Sequence, residues 1–319
     1  MTNTAPNLEL DPAIASLGFP QWRDVSDRYS IADLYFSSRT RAGIYVLGFA
    51  NGERYVGKSK DVVRRFAQHL KAHPDVTLFT FRQVPISQQT EVERDCIHAL
   101  EAAGLALRNI REMSVVTGAS DLDDLLPPEE WHRWPVDPKG LIDGTDRVDD
   151  PALRGRHHRR FVELASWPEA PAIVEVLHHY LSLAIPSPRR TELTFWSLSC
   201  LPGDGRMGVV ARVNLNMQEV LYITLAEDEG EIEACFRLAR TPFERHYGQH
   251  WREELEKDGY QVDDFGYKPG GHDQFSLKVA RTASIKSFLQ LETAQLSLRQ
   301  FNMNLMRKGP TYWPGSHCF

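Results

Sequence analysis

A chain of 319 residues, 42% hydrophobic and 25% charged, has the composition of an ordinary globular protein, and its length suggests two domains rather than one core. The net charge of −6 excludes a surface that is basic everywhere, so any nucleic acid must be met by a local patch. No apolar run is long enough to span a bilayer, the start MTNTAPNLELDPAIASLG lacks the basic n-region of a secretory signal, and Cys96, Cys200, Cys235 and Cys318 show no CxxC spacing; the expectation is a thiol-containing cytoplasmic protein with no membrane contact.

Residues 1–41 are polar with scattered aromatics, among them Phe19, Trp22, Tyr29, Tyr35 and Phe36, and read as an N-terminal extension packing onto the domain after it. The stretch RAGIYVLGFANGERYVGKSKDVVRRFAQHLKAH is the most informative. Two apolar runs, GIYVLGF and ERYVG, flank Asn51-Gly52, a pair that tolerates positive φ at both central turn positions and predicts a β-hairpin. Side chains alternate along a strand, so Tyr45 and Tyr55 can come together on one face. The spacing after Lys58 predicts a helix, with Asp61 in its first turn and Val62, Val63, Phe66 and Leu70 on its apolar face. Arg65 and His69, four apart, share another face. An arginine and a histidine beside two tyrosine hydroxyls suit a phosphate diester, because a guanidinium can hold two phosphate oxygens. The same spacing also suits half-buried strand aromatics and a solvated basic helix face, and the residues alone leave both readings open.

A third strand is predicted over 76–84, then a helix in QQTEVERDCIHALEAAG with Val92, Cys96, Ile97 and Leu100 at helical spacing and Glu93 in its first turn. Surface acids near a helix N-terminus are common, so Glu93 acquires meaning only from its neighbours. From Arg39 to Glu112 there are twelve Lys/Arg against eight Asp/Glu, making this stretch locally basic. Residues 113–151 reverse the balance, with ten acids and Pro127, Pro128, Pro135 and Pro138, and read as an acidic linker.

The region 152–319 opens on the basic cluster RGRHHRR and reads as a second α+β domain. A helix is predicted over 171–184, and strands in TELTFWSLSCL, MGVVARVNLNM and EVLYITLAE, with a turn at PGDG. The acidic run AEDEGEIEA reads as a turn and a solvated helix start, and further helices come from Phe243 to Lys257 and from Ser284 to Met306. His246 and His250 fall on a polar helix face rather than in a zinc motif, and no cysteine spacing supports zinc at His157-His158 or His178-His179.

Taken in order, Gly43-Ile44-Tyr45, Tyr55-Val56-Gly57, Lys58, Arg65, His69, Glu93 and Asn109 resemble the GIY-YIG nuclease family, which includes phage homing endonucleases and the N-terminal incision domain of bacterial excision-repair nucleases. The match covers residues 42–112. LALRN stands where an aromatic or glycine often precedes the asparagine. The resemblance implies a small three-stranded antiparallel sheet flanked by helices and a metal-dependent endonuclease that hydrolyses phosphodiester bonds, most readily of double-stranded or branched DNA. It implies Tyr45, Tyr55, Lys58, Arg65, His69 and Glu93 as catalytic residues, Glu93 as the one protein ligand of Mg²⁺ or Mn²⁺, and Tyr55 as the tyrosine that helps deprotonate water. Poising a phenol at pH ~8 rather than ~10 requires roughly 2.7 kcal/mol. Arg64 and Asn109 are expected to contact nucleic acid. In the second domain Arg154, Arg156, Arg159 and Arg160, helped by Trp167, Trp196 and Trp251, are expected to supply specificity. Two alternatives stand beside this: a nucleic-acid-binding module without turnover, and a nuclease gated by a C-terminal domain that senses a small molecule or a protein partner.

Overall fold

The computed structural model describes residues 9–35, 37–110, 112–116, 118–138, 150–202, 208–226, 230–314 and 317–318, with backbone alone for Ser38, Leu153 and Arg154. It is a mixed α+β protein with two antiparallel sheets, one in each of two units, Met1–Thr117 and Gly118–Phe319.

The first unit runs α1 (Pro12–Ser16), β1 (Arg23–Asp24), β2 (Gly43–Phe49), β3 (Arg54–Ser59), α2 (Val62–Ala72), β4 (Val76–Gln83) and α3 (Gln89–Ala102). Its sheet has the order β1-β4-β2-β3, so β2 is central and β3 lies at an edge. The sheet has four strands where three were expected, because the N-terminal segment lays Arg23 and Asp24 against Phe79 and Leu78. Strand alternation divides the core in two. Tyr45, Leu47, Phe79 and Phe81 face α2 and pack with Val62 and Phe66. Ile44, Val46 and Val56 face the other way and pack with Cys96, Ile97 and Leu100 of α3 and with Phe19 and Trp22. The hairpin closes differently from the two-residue turn: Gly52 N–H donates to the Phe49 carbonyl at 3.0 Å, and of the Asn-Gly pair only Gly52 takes positive φ, +88°. A three-residue loop ending in a left-handed glycine needs only that one. The helix α2 starts where Asp61 caps it, its carboxylate accepting from Val63 and Arg64 N–H at 3.0 and 3.2 Å.

The outer edge of β3 is covered. Arg54 N–H donates to the Ala106 carbonyl at 2.8 Å, and its own carbonyl accepts from Arg108 N–H at 2.7 Å. One residue pair further on, the Asn109 side chain takes over, Oδ1 accepting from Val56 N–H at 2.9 Å and Nδ2 donating to the Val56 carbonyl at 2.8 Å. Asn109 thus imitates a strand, a structural role beside the nucleic-acid contact expected of it. Asn109→Ala should leave both Val56 groups unsatisfied in a buried setting and destabilise this unit by about 2–4 kcal/mol, read by urea unfolding. A loss under about 0.5 kcal/mol would show that water replaces the amide.

The second unit contains α4 (Pro128–Arg133), α5 (Pro151–Arg156), α6 (His158–Ala165), α7 (Ala170–Ala184), α8 (Pro188–Thr191), β5 (Trp196–Cys200), β6 (Val209–Leu215), β7 (Gln218–Leu225), β8 (Ile232–Leu238), α9 (Thr241–Tyr247), α10 (Trp251–Lys257), β9 (Gln261–Asp263), β10 (Phe275–Ala280), α11 (Thr282–Gln290) and α12 (Glu292–Met306). The strands form one sheet in the order β5-β6-β7-β8-β10-β9. One face packs under α7, α11 and α12, with Phe236 between Tyr180 and Phe288 at ring separations of 6.1 and 5.3 Å. The opposite face carries cross-strand rows of polar residues, Arg212–Tyr222–Cys235–Lys278 and Arg237–Ser276–Asp263.

Three expectations are corrected in this unit. The acidic segment begins a strand, β8, because Ile232, Ala234, Phe236 and Leu238 alternate inward. The segment read as linker contributes Leu122, Leu126, Trp131 and Trp134 to the core of this unit, while 139–149 lie outside the described residues. Trp196 and Trp251 are core residues, each 4% exposed, so neither is a DNA-facing aromatic, while Trp167 is half-buried against the same core. The four cysteines are buried free thiols, and no described helix is long and apolar enough to cross a membrane.

Candidate functional site

The pairing register sets the site. Tyr45 lies opposite Gly57 and Leu47 opposite Tyr55, so both tyrosines project from the α2 face with ring centroids 6.3 Å apart. Gly57 is required there: a Cβ would overlap the Tyr45 hydroxyl and approach the Tyr55 ring to 2.9 Å. Gly43 is required at the other end of the motif, where a Cβ would overlap the Arg82 carbonyl on β4 and approach the Phe81 ring to 2.8 Å. Both motif glycines are therefore explained by close packing within the sheet.

From α2, Arg65 and His69 reach the same hydroxyl. Arg65 Nε donates to Tyr45 Oη at 3.3 Å, and Tyr45 Oη lies 2.7 Å from His69 Nε2. A guanidinium can only donate, so the tyrosine oxygen accepts from Arg65, and the same oxygen links Arg65 to His69. Burial, helped by the neighbouring Tyr55 phenol and the Glu93 charge and opposed by Arg65, pushes the Tyr45 hydroxyl far above the ordinary tyrosine range. Burial, then the charges of Arg65 and His73, pushes His69 down to about 4. The hydrogen bond that Arg65 donates to Tyr45 is the largest of the contacts that hold the guanidinium charged, with Tyr55 adding to it. Tyr45 and His69 are 1% and 7% exposed, whereas Tyr55 and Arg65 are half-buried and open to solvent.

The neutrality of His69 has a measurable cost at low pH. The unfolded chain takes up this proton near pH 6.5 and the folded chain only near 4, so the stability from neutral His69 is complete above about pH 6.5 and is lost as pH falls toward 4. The full loss is roughly 3 kcal/mol. Urea unfolding at pH 7, 5.5 and 4.5 should show this decline in the first unit, and His69→Gln should flatten it. An equal slope in the variant would assign the decline to other groups, such as the carboxylates Glu53 and Asp75 that Arg108 holds low, beside Asn51 for Glu53.

Lys58 and Glu93 stand on the other side of β3. Register places Lys58 opposite Ile44, on the α3 face. The Glu93 carboxylate accepts from Lys58 N–H at 2.9 Å and pairs with Lys58 Nζ at 2.8 Å, and Lys58 Nζ also donates to Thr90 Oγ1 at 3.2 Å. Helix α3 starts at Gln89, so Glu93 sits in its second turn rather than its first. The six expected catalytic residues thus form two clusters, Tyr45–Tyr55–Arg65–His69 and Lys58–Glu93, meeting across one edge strand, and the Glu93 charge is felt at Tyr45. No group of three or more His, Cys, Asp or Glu capable of caging a metal occurs among the described residues. A single half-buried carboxylate fits an ion that keeps most of its waters, as magnesium does, and not a fully protein-built cage.

Arg64 is exposed on α2, and Arg156, Arg159 and Arg160 are exposed on α5 and α6; the side chain of Arg154 lies outside the described residues. Two structural roles were missed from sequence. Glu93 satisfies an edge-strand N–H, and Asn109 does so for the neighbouring residue pair; only pairing between residues 35 and 53 apart in the chain reveals them. Comparison with protein-family models, with curated proteins and with solved structures finds no match to this chain.

Proposed function

We propose that the first unit is the catalytic unit of a metal-dependent endonuclease of the GIY-YIG type, acting on DNA. The observation that carries this reading is the convergence of Tyr45, Tyr55, Arg65 and His69 on one sheet face beside the Glu93 edge. The two tyrosines take different parts. Tyr45 is locked protonated between Arg65 and His69 and positions the guanidinium; Tyr55, open to solvent, is the tyrosine that, once its own proton has passed to solvent, can accept the proton of an attacking water as phenolate. Arg65 meets the charge that grows on the phosphate. His69 acts through Tyr45 and not on the phosphate, since its Nε2 is already engaged. Glu93 would hold a hydrated Mg²⁺ or Mn²⁺, which supplies positive charge to the phosphate oxygens when bound, with Lys58 Nζ giving up its place on the carboxylate. The exposed arginines Arg156, Arg159 and Arg160 would meet the DNA backbone without reading its sequence.

A second reading, binding without turnover, is favoured by the Lys58–Glu93 pair, which already satisfies the carboxylate. One experiment separates the two. The full chain is incubated with supercoiled plasmid, a branched DNA and a structured RNA in Mg²⁺, Mn²⁺ or EDTA, beside Tyr55→Phe and Glu93→Gln. Glu93→Gln keeps an acceptor for Lys58 N–H and removes the charge. Metal-dependent cleavage reduced at least about 100-fold by each change supports the nuclease. Cleavage indifferent to Glu93→Gln overturns the site, and binding with no cleavage under any condition favours the second reading.

A further inference from the structure

The polar face of the six-stranded sheet holds a groove with two lobes, of about 400 and 300 Å³, that share Glu219 and Tyr267. One buried charge on this face has bonding capacity left over. In the larger lobe, Arg237 is 4% exposed and makes no ion pair among the described residues. Its Nη1 donates to Ser276 Oγ, its Nε has no partner, and its Cζ lies 4.9, 5.2 and 5.9 Å from the ring centroids of Phe265, Tyr267 and Tyr222. Aromatic faces offset only part of the cost of burying a guanidinium, and a buried charge is normally paired. The nearby acids are occupied elsewhere: Glu219 accepts from the Tyr267 hydroxyl at 3.0 Å and faces Arg212 at 3.8 Å, and Asp263 accepts from Phe265 N–H at 2.9 Å. The smaller lobe is walled by Tyr267 and by Trp313, which is 57% exposed.

We propose that this groove binds a mononucleotide-like ligand, a flat heteroaromatic ring bearing one acidic group, with the acid on Arg237 and the ring against Trp313 and Tyr267. An anion on Arg237 supplies the missing counter-charge. Lobes of this size, aromatic-walled with few fixed polar groups, are typical of small-molecule sites. The inference does not rest on the proposed cleavage activity, and its test reads binding alone.

The full chain is titrated with the four common nucleoside 5′-monophosphates and with the matching nucleosides, followed by calorimetry and by tryptophan fluorescence. At least one monophosphate should bind about tenfold or more tightly than its nucleoside, as a charge-assisted contact requires. Arg237→Met should erase that difference. Phe265 is 51% exposed, so Phe265→Ala should fold normally, checked by circular dichroism, and weaken binding several-fold. The proposal is overturned by nucleosides and monophosphates binding alike, by no monophosphate binding at millimolar concentration, or by Phe265→Ala and a folded Arg237→Met both retaining full affinity. Binding of single-stranded oligonucleotides with no binding of any monophosphate also overturns it, in favour of a strand-binding face.

Discussion

Replacing Arg65 with alanine is expected to lower DNA cleavage by about 10²–10³-fold while leaving the first unit folded. The guanidinium has two tasks that geometry ties together. Its Nε holds the Tyr45 hydroxyl at 3.3 Å, and its Nη1 donates to Gln68 Oε1 at 3.1 Å, so the fork is pinned before substrate arrives. Pre-set charge of this kind counts more toward the rate than charge that must reorganise during the reaction. Arg65→Lys is the informative companion. A lysine keeps the charge but cannot span the tyrosine and a phosphate with one planar fork, so most of the loss should remain. Cleavage restored to within about fivefold by lysine would mean that charge alone is needed and that the Tyr45 contact is incidental. Because Arg65 is half-buried and its charge opposes that of His69, its removal should also raise the His69 pKa, visible as a weaker acid decline in stability.

The second large effect is expected at Gly57. Alanine there drives a methyl group into the Tyr45 hydroxyl and against the Tyr55 ring. Tyr45 is 1% exposed and wedged between Phe79 on one side and His69 on another, so it has no space into which to withdraw. Overpacking of this kind costs about 1–3 kcal/mol. Unfolding in urea should register that loss, and cleavage should fall below detection, since the Arg65–Tyr45–His69 chain cannot form with the ring displaced. The same substitution at Gly52 sets the scale: a Cβ there meets nothing within 4 Å, but φ is +88°, so only the backbone is strained and activity should survive. Equal damage at both positions would mean that loss of the hairpin, and not displacement of Tyr45, explains the Gly57 result.

Much of the first unit was legible because local signals agree there. Period-two alternation, a turn glycine and a capped amphipathic helix all occur within residues 43–72, and the parity of two strands suffices to bring Tyr45 and Tyr55 to one face. Elements without such a signal were lost. Strand β1 is two exposed residues, Arg23 and Asp24, and exists only because β4 offers it an edge. Strand β8 carried its alternation openly, yet Glu231 and Glu233 drew the reading toward a helix start. The helices expected as single runs are broken, at Gly248, where φ is +69°, and at Leu291, where ψ is 124°. In the site, the membership of Arg65 and His69 came from spacing on one helix, whereas the separation of Lys58 and Glu93 onto the opposite face required the register. The groove around Arg237 left no trace at all, since it assembles from five strands, the β6–β7 turn, the segment after β9 and Trp313 beyond α12, none of which bears a local motif.

The cover over β3 also governs how copies of this protein meet one another. An edge strand with open N–H and C=O groups is a template for a strand from a second molecule. Here every outward group described on Arg54 and Val56 is taken by residues 106–109, and the Lys58 N–H by Glu93. Along Val56–Lys58 that cover consists of two side chains, the Asn109 amide and the Glu93 carboxylate. A chain that lost both would present a β3 edge three residues long beside the tyrosines, and its first failure on storage or heating would be intermolecular pairing rather than simple unfolding.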